Sequence, residues 1–169
     1  YPYLLRKGRT QGPKADQRQS GLLRFHEARD PLVSSLKDRG FYCEVETNGT
    51  ILPSSELSRG VSQWNVSPKL ASSGNQLELR KPLRVLETFS RLSNAYFKFV
   101  IVQPEDVEEV SRLVDGYGIS ADRVLLMPEG VTAEALRGRG VWLAEACARL
   151  GYRFSTRLHI MLWGDQRGR

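Results

Sequence analysis

From Tyr96 to Gly151 the chain switches repeatedly between a strand period and a helix period, and this alternation restricts the possible folds more than any other feature. Tyr96 to Val102 is an apolar run interrupted only by Lys98, the length of one buried strand. Pro104 opens a helical stretch with Glu105 and Asp106 in its first turn, where negative charge suits the helix dipole. Val107, Val110, Leu113 and Val114 give that stretch one apolar side, and Gly116 and Gly118 end it. Val124-Leu125-Leu126-Met127 reads as the next strand. Thr132 is placed to cap a long helix with Leu136, Leu143, Ala144, Cys147 and Leu150 predicted to face inward and Gly151 to close it. Phe154 to Leu162 is predicted as the last strand.

The residues before Tyr96 extend the pattern. Pro31-Leu32-Val33 through Leu36-Lys37 reads as a short helix closed by Gly40, Phe41 to Val45 as a buried strand, and Gly60 to Val66 as a second one. Residues 71–79 read as a loop. Arg84 to Leu92 reads as a helix with Leu83, Leu86 and Phe89 on one stripe. Helices alternating with strands predict an α/β fold with a mainly parallel sheet, and the economical form is an open or partial (β/α) barrel. Residues 1–29 hold no sustained period, and Gly8, Gly12, Pro13 and Gly21 interrupt any that starts. The expected organisation is an unstructured basic leader over 1–29 and a folded domain over 30–169.

Charge supports that division. The chain carries a formal +6, but residues 1–29 hold seven basic residues against Asp16 and Glu27, leaving the other 140 residues at +1. A nearly neutral domain is not the footprint of a nucleic-acid binder, so no direct nucleic-acid partner is expected. No apolar run approaches the roughly 20 residues that span a bilayer, and Tyr1 to Lys7 lacks a signal-peptide core. Two cysteines form no disulfide framework, and the expected compartment is the cytoplasm, with Asn48-Gly49-Thr50 carrying no glycosylation meaning there. No membrane association is expected.

Four polar segments follow predicted strands, where α/β sheets place their sites. Glu46-Thr47-Asn48-Gly49 offers a carboxylate and an amide to amine and hydroxyl groups, with Gly49 permitting close backbone approach; taken alone, it reads first as a polar Asn-Gly turn. Ser67-Pro68-Lys69 presents a hydroxyl, a stiff φ and a cation suited to a carboxylate or ribose, or else a proline-closed strand end. Met127-Pro128-Glu129-Gly130 can flank an adenine, or simply start the next helix. Ser155, Arg157 and His159 fall on one face of the predicted last strand, an inward polar row unless His159 is a satisfied core residue. Lys98 snorkels to a sheet edge or belongs to the same polar set. Cys43 and Cys147 read as buried small hydrophobes, and with His26 and His159 scattered there is no metal-ligand spacing and no catalytic nucleophile motif.

Together, residues 44–50, 66–69, 123–130 and 153–163 resemble the C-terminal portion of the 7-carboxy-7-deazaguanine synthase family, within the radical S-adenosylmethionine superfamily. The resemblance implies that Glu46, Asn48, Ser67, Pro68, Lys69, Met127, Pro128, Glu129 and Gly130 contact S-adenosylmethionine, and that Arg157 and His159 contact a pterin substrate. It implies a homodimeric carbon–nitrogen lyase that uses a 4Fe-4S cluster and magnesium. That enzyme converts 6-carboxy-5,6,7,8-tetrahydropterin to 7-carboxy-7-deazaguanine on the route to queuosine and tRNA modification.

The family holds its cluster through a close cysteine trio beside a magnesium-binding threonine. Here the cysteines stand at 43 and 147, and Glu27-Ala28-Arg29-Asp30-Pro31 replaces a Gly-Gly-Glu-Pro turn. The cluster and magnesium ligands are therefore absent from this chain. The expected function is that of a synthase-like protein, a fragment or inactive as written, with residues 1–29 foreign to the family. The alternative is a non-catalytic module that binds S-adenosylmethionine or a pterin.

Overall fold

The computed structural model describes residues 3–9, 29–75 and 83–166 of the 169. It divides into two compact units, Tyr1–Ser67 with Pro82–Tyr96 and Pro68–Lys81 with Phe97–Arg169.

In the first unit, strand β1 (Tyr3–Arg9) pairs antiparallel with β2 (Phe41–Thr47), which pairs parallel with β3 (Gln63–Val66). Helix α1 (Arg29–Asp38) leads into β2 through a turn in which Gly40 takes φ +77°, a conformation that favours glycine. Helix α2 (Ser55–Gly60) starts where the Ser54 hydroxyl accepts the Leu57 N–H at 3.0 Å, and it packs closely on α1. A Cβ at Gly60 would stand 2.7 Å from Val33 Cγ1, so that contact requires glycine. Helix α3 (Leu83–Ser90) buries Val85, Leu86 and Phe89. The Phe89 ring meets Trp64 edge-to-face at 5.2 Å, a geometry worth about 0.5–1.5 kcal/mol beyond area burial. Strand β4 (Ala95–Ile101) begins in this unit, where Asn94 accepts the Trp64 N–H on its carbonyl at 2.9 Å and donates its amide to the Val61 carbonyl at 2.9 Å.

In the second unit β4, β5 (Val124–Pro128) and β6 (Arg153–Phe154) run parallel in chain order. Phe97, Phe99 and Ile101 line the fully buried face of β4, and Val124 and Leu126 line that of β5. Helix α4 (Pro104–Tyr117) buries Val107, Val110, Leu113 and Val114 as its spacing predicts. Helix α5 (Ala133–Leu150) is capped by Thr132, whose Oγ1 accepts the Ala135 N–H at 3.2 Å, and it ends at Gly151 with φ +71°. Leu136, Leu143 and Cys147 face inward as expected. Ala144 does not: the stripe passes through Ala146, and Ala144 is exposed. Every strand from β2 to β6 thus has a parallel partner within its own unit, and the expectation of an α/β fold of partial (β/α) type holds.

Four expectations change. Strand β2 runs on to Thr47, so Glu46 lies within the ladder rather than after it. The strand predicted from Gly60 shortens to β3 because α2 takes the residues to Gly60. A strand forms at Tyr3–Arg9 where no regular element was expected, while residues 10–28 lie outside the described ones. The predicted last strand breaks after Phe154, and the chain forms helix α6 (Leu158–Trp163). The reason lies in β5. The ladder ends with the Ser155 N–H on the Leu126 carbonyl, and the following β5 residue on that face is Pro128, which has no N–H to offer. Ser155, Arg157 and His159 therefore do not form one strand face.

Both cysteines are buried, as expected. The Cys43 Sγ lies 3.8 Å from the Phe41 carbonyl and the Cys147 Sγ 3.7 Å from the Arg153 carbonyl. Burial pushes the Cys147 thiol up to about 11, and it raises the Cys43 thiol against a weaker opposing pull from Lys37. Among the described residues, no helix is long and apolar enough to cross a membrane.

Two outcomes are expected. The buried Asp106 carboxylate accepts the Val102 N–H at 2.7 Å and the Gln103 N–H at 3.2 Å. Asp106→Ala should lower stability by about 1–3 kcal/mol in urea unfolding, because it strands both donors. Cys147 has a folded-state pKa above its unfolded one, so the unfolded chain sheds that proton first. Its contribution to stability is complete below pH 9 and declines as pH rises towards about 11. Urea midpoints of wild type and Cys147→Ala compared at pH 8 and pH 10.5 should converge at the higher pH.

Candidate functional site

In the first unit the chemistry gathers at the C-terminal ends of β2 and β3. The Ser67 N–H donates to the Thr47 carbonyl at 2.7 Å, tying the two ends together. The chain then turns sharply: Thr47 Oγ1 accepts the Gly49 N–H at 3.1 Å, and Asn48 Oδ1 accepts both the Thr50 N–H at 3.2 Å and the Thr50 hydroxyl at 2.7 Å. Asn48 has thus committed its carbonyl oxygen to the turn, leaving its amide N–H groups as the donors it can offer. Gly49 sits at φ +71°, and a Cβ there would lie 3.0 Å from Val66 Cγ1 and 3.3 Å from Leu86 Cδ2. Glu46 is half-buried, in register with Asn65 of β3.

The same face of β2 and β3 carries a polar row absent from the sequence reading. The Tyr42 hydroxyl donates to Gln63 Oε1 at 3.0 Å, Gln63 Nε2 to Asn65 Oδ1 at 3.0 Å, and Asn65 Nδ2 to Glu44 Oε1. Burial, then the Glu44 charge and Tyr96, raise the Tyr42 phenol pKa, which keeps it a donor. The alternation of Tyr42, Glu44 and Glu46 along β2 was the available signal.

In the second unit Lys69 stands exposed between buried Pro68 and Leu70, and the next residue is pinned where the Ala71 N–H meets Glu109 Oε2 at 2.9 Å. The Lys69 ammonium has no hydrogen bond or ion pair among the described residues. Met127 and Pro128 end β5 buried, and Glu129 and Gly130 form the exit loop. The structure brings Arg157 to that loop, its Nη1 donating to the Gly130 carbonyl at 3.4 Å from the N-cap of α6. His159 it does not bring: it is the second residue of α6, where residues two apart face different ways, and it is exposed. The polar group that sequence reasoning missed in this unit is Arg139 of α5. It donates Nε to the Val102 carbonyl at 3.1 Å and Nη1 to the Glu129 carbonyl at 2.8 Å, and it pairs with Glu129 Oε2 at 3.1 Å. Nothing local distinguishes it from Arg137, which merely reaches back to Ala133 of its own helix.

No family model matches the chain. Curated relatives do. The chain is 42% identical over 130 residues to the 7-carboxy-7-deazaguanine synthase of Pyrobaculum aerophilum, covering 75% of this chain and 54% of that protein. It is 32% identical over 162 residues to the protein of that name from Halobacterium salinarum, covering 83% and 62%. With the Rhodopirellula baltica protein of the same name it shares 28% over 149 residues, covering 81% and 56%. The chain therefore spans between half and two thirds of the length of the relatives it matches. By this shared sequence the chain is similar, over that part of their length, to proteins named 7-carboxy-7-deazaguanine synthase.

Proposed function

We propose that this chain is the S-adenosylmethionine- and pterin-facing portion of a 7-carboxy-7-deazaguanine synthase, a carbon–nitrogen lyase of deazaguanine synthesis. The observation that carries the reading is the sequence likeness to the synthases, which covers 75% and 83% of this chain in two of them. In the first unit Glu46, Asn48 and Ser67 are assigned to S-adenosylmethionine. In the second, Pro68, Lys69, the side chains of Met127 and Pro128 and the backbone of Glu129 and Gly130 take the same role, the Glu129 carboxylate being paired with Arg139. Arg157 and His159 are the assigned pterin contacts, although Arg157 alone is supported by its position beside the Gly130 carbonyl. The assigned substrate is a small pterin, in a cytoplasmic homodimer without direct contact to nucleic acid.

The family's iron–sulfur cluster would supply the radical chemistry, and the residues of this chain do not fit it. Cluster iron is held by thiolates. Cys43 and Cys147 are this chain's two cysteines; both are buried, both sulfurs lie against backbone carbonyls, and both thiols are shifted away from ionisation. Among the described residues no group of three His, Cys, Asp or Glu side chains is placed to hold a metal. No step through cluster or magnesium is assigned to these residues. What they can do is bind and orient: Lys69 meets a carboxylate, Asn48 donates to an acceptor, and Glu46 accepts from an amine or hydroxyl.

Two measurements test this. Anaerobic incubation of the chain with iron, sulfide, reductant, S-adenosylmethionine and the tetrahydropterin should yield no 7-carboxy-7-deazaguanine; product would overturn the assignment of the cysteines. Calorimetric titration of the chain with S-adenosylmethionine should show binding that Lys69→Ala weakens about tenfold or more, the worth of one charge-assisted bond. Unchanged affinity would remove Lys69 from the site.

A further inference from the structure

We propose that Arg139 is a positioning residue that holds the loop after β5 in its binding form, and that the Glu129 carboxylate serves this clamp rather than the ligand. The inference rests on the reading of Met127 to Gly130 as part of an S-adenosylmethionine site. Four observations converge on it. The Arg139 guanidinium bridges two segments, donating to the Val102 carbonyl at the end of β4 and to the Glu129 carbonyl in the loop. The Glu129 carboxylate closes on the same Nη1 at 3.1 Å. The Glu129 N–H is itself held by the Ile101 carbonyl at 2.8 Å, so this residue is gripped at both backbone groups and at its side chain. Arg157 holds the next carbonyl along, that of Gly130, at 3.4 Å.

The consequence follows from peptide geometry. In a trans peptide the C=O and the N–H of the same unit point in opposite directions. Fixing the Glu129 carbonyl on Arg139 turns the Gly130 N–H the other way, and fixing the Gly130 carbonyl on Arg157 does the same for the Val131 N–H. Neither N–H has a hydrogen bond among the described residues, so the loop presents two adjacent donors suited to ring nitrogen or ribose oxygen acceptors. Gly130 is seated tightly behind them, since a Cβ would meet Leu136 Cδ2 at 3.1 Å and Ala135 Cβ at 3.3 Å. A guanidinium is required because its planar fork reaches both carbonyls at once, whereas a lysine ammonium is a point charge on a flexible stem.

The test uses the full chain in four forms: wild type, Arg139→Ala, Arg139→Lys and Glu129→Gln. The readouts are residue-resolved amide hydrogen exchange without ligand and S-adenosylmethionine titration. Arg139→Ala should speed exchange at the Glu129 amide selectively, with core amides such as Phe99 and Leu126 unchanged, and weaken binding by about tenfold or more. Arg139→Lys should not restore either property. Glu129→Gln keeps both carbonyl bonds and should bind within about threefold of wild type. Unchanged exchange and affinity in Arg139→Ala would overturn the clamp. Loss of affinity in Glu129→Gln with exchange undisturbed would assign the carboxylate to the ligand instead, which also overturns it. A wild-type chain that binds no S-adenosylmethionine, with exchange still faster in Arg139→Ala, would sink the functional reading and reduce Arg139 to a structural brace.

Discussion

The pleat of the strands sorts this protein's side chains into two populations, and its candidate chemistry depends on that sorting. Along β2, Cys43, Val45 and Thr47 are buried while Tyr42, Glu44 and Glu46 point to the opposite face. Along β4, Phe97, Phe99 and Ile101 are buried while Lys98 and Val100 are half-exposed. Burying one face supplies the driving force for folding and fixes register, since a slip of one residue would exchange the two faces. The polar row from Tyr42 to Asn65 is a product of this register: Glu44 aligns with Gln63, and Glu46 with Asn65. In isolation these groups are ordinary. In register they form a continuous hydrogen-bonded strip.

Parallel pairing has a second consequence. Within each unit the parallel strands end on the same side, so the backbone that leaves the ladder does so beside its neighbour. The ladder no longer satisfies those peptide groups, and side chains must take over. Thr47 and Asn48 do so after β2, and Arg139 and Arg157 do so after β5. The two solutions differ in character. The first is a local turn stabilised by neighbours in sequence; the second recruits arginines 10 and 27 positions away along the chain. Backbone groups at a strand end are thereby oriented, and those left over are the donors and acceptors a small ligand can use.

Much of this was legible in advance, for reasons that can be assigned residue by residue. Helix α4 was readable because Pro104, the acidic first turn, a single apolar stripe and Gly118 all agree on one answer. Helix α5 was readable from Thr132 and Gly151, although Ala146 rather than Ala144 lies on its buried stripe. The last strand was not readable. Alternating residues from Phe154 to Leu162 resemble a strand, but a strand needs a partner with an unbroken ladder, and Pro128 on β5 interrupts it. His159 was misplaced with it. Tyr3–Arg9 was missed because its pairing with β2 is long-range, and no local period announces it.

The sequence by itself determined the alternation of strand and helix from β4 to α5, the buried face of α4, the likeness to 7-carboxy-7-deazaguanine synthases, and a cysteine count of two, too few for a cluster-binding trio among these 169 residues. These properties rest on period, capping chemistry, composition and shared sequence, which are all local or directly countable. Tertiary structure alone decided which polar groups meet. It selected Arg139 over Arg137, moved Arg157 onto the Gly130 carbonyl, left His159 exposed, and assembled Tyr42, Glu44, Gln63 and Asn65 into one row. Those outcomes depend on strand register and on the rotation of one helix against a sheet, and both are set by packing between residues far apart in the chain.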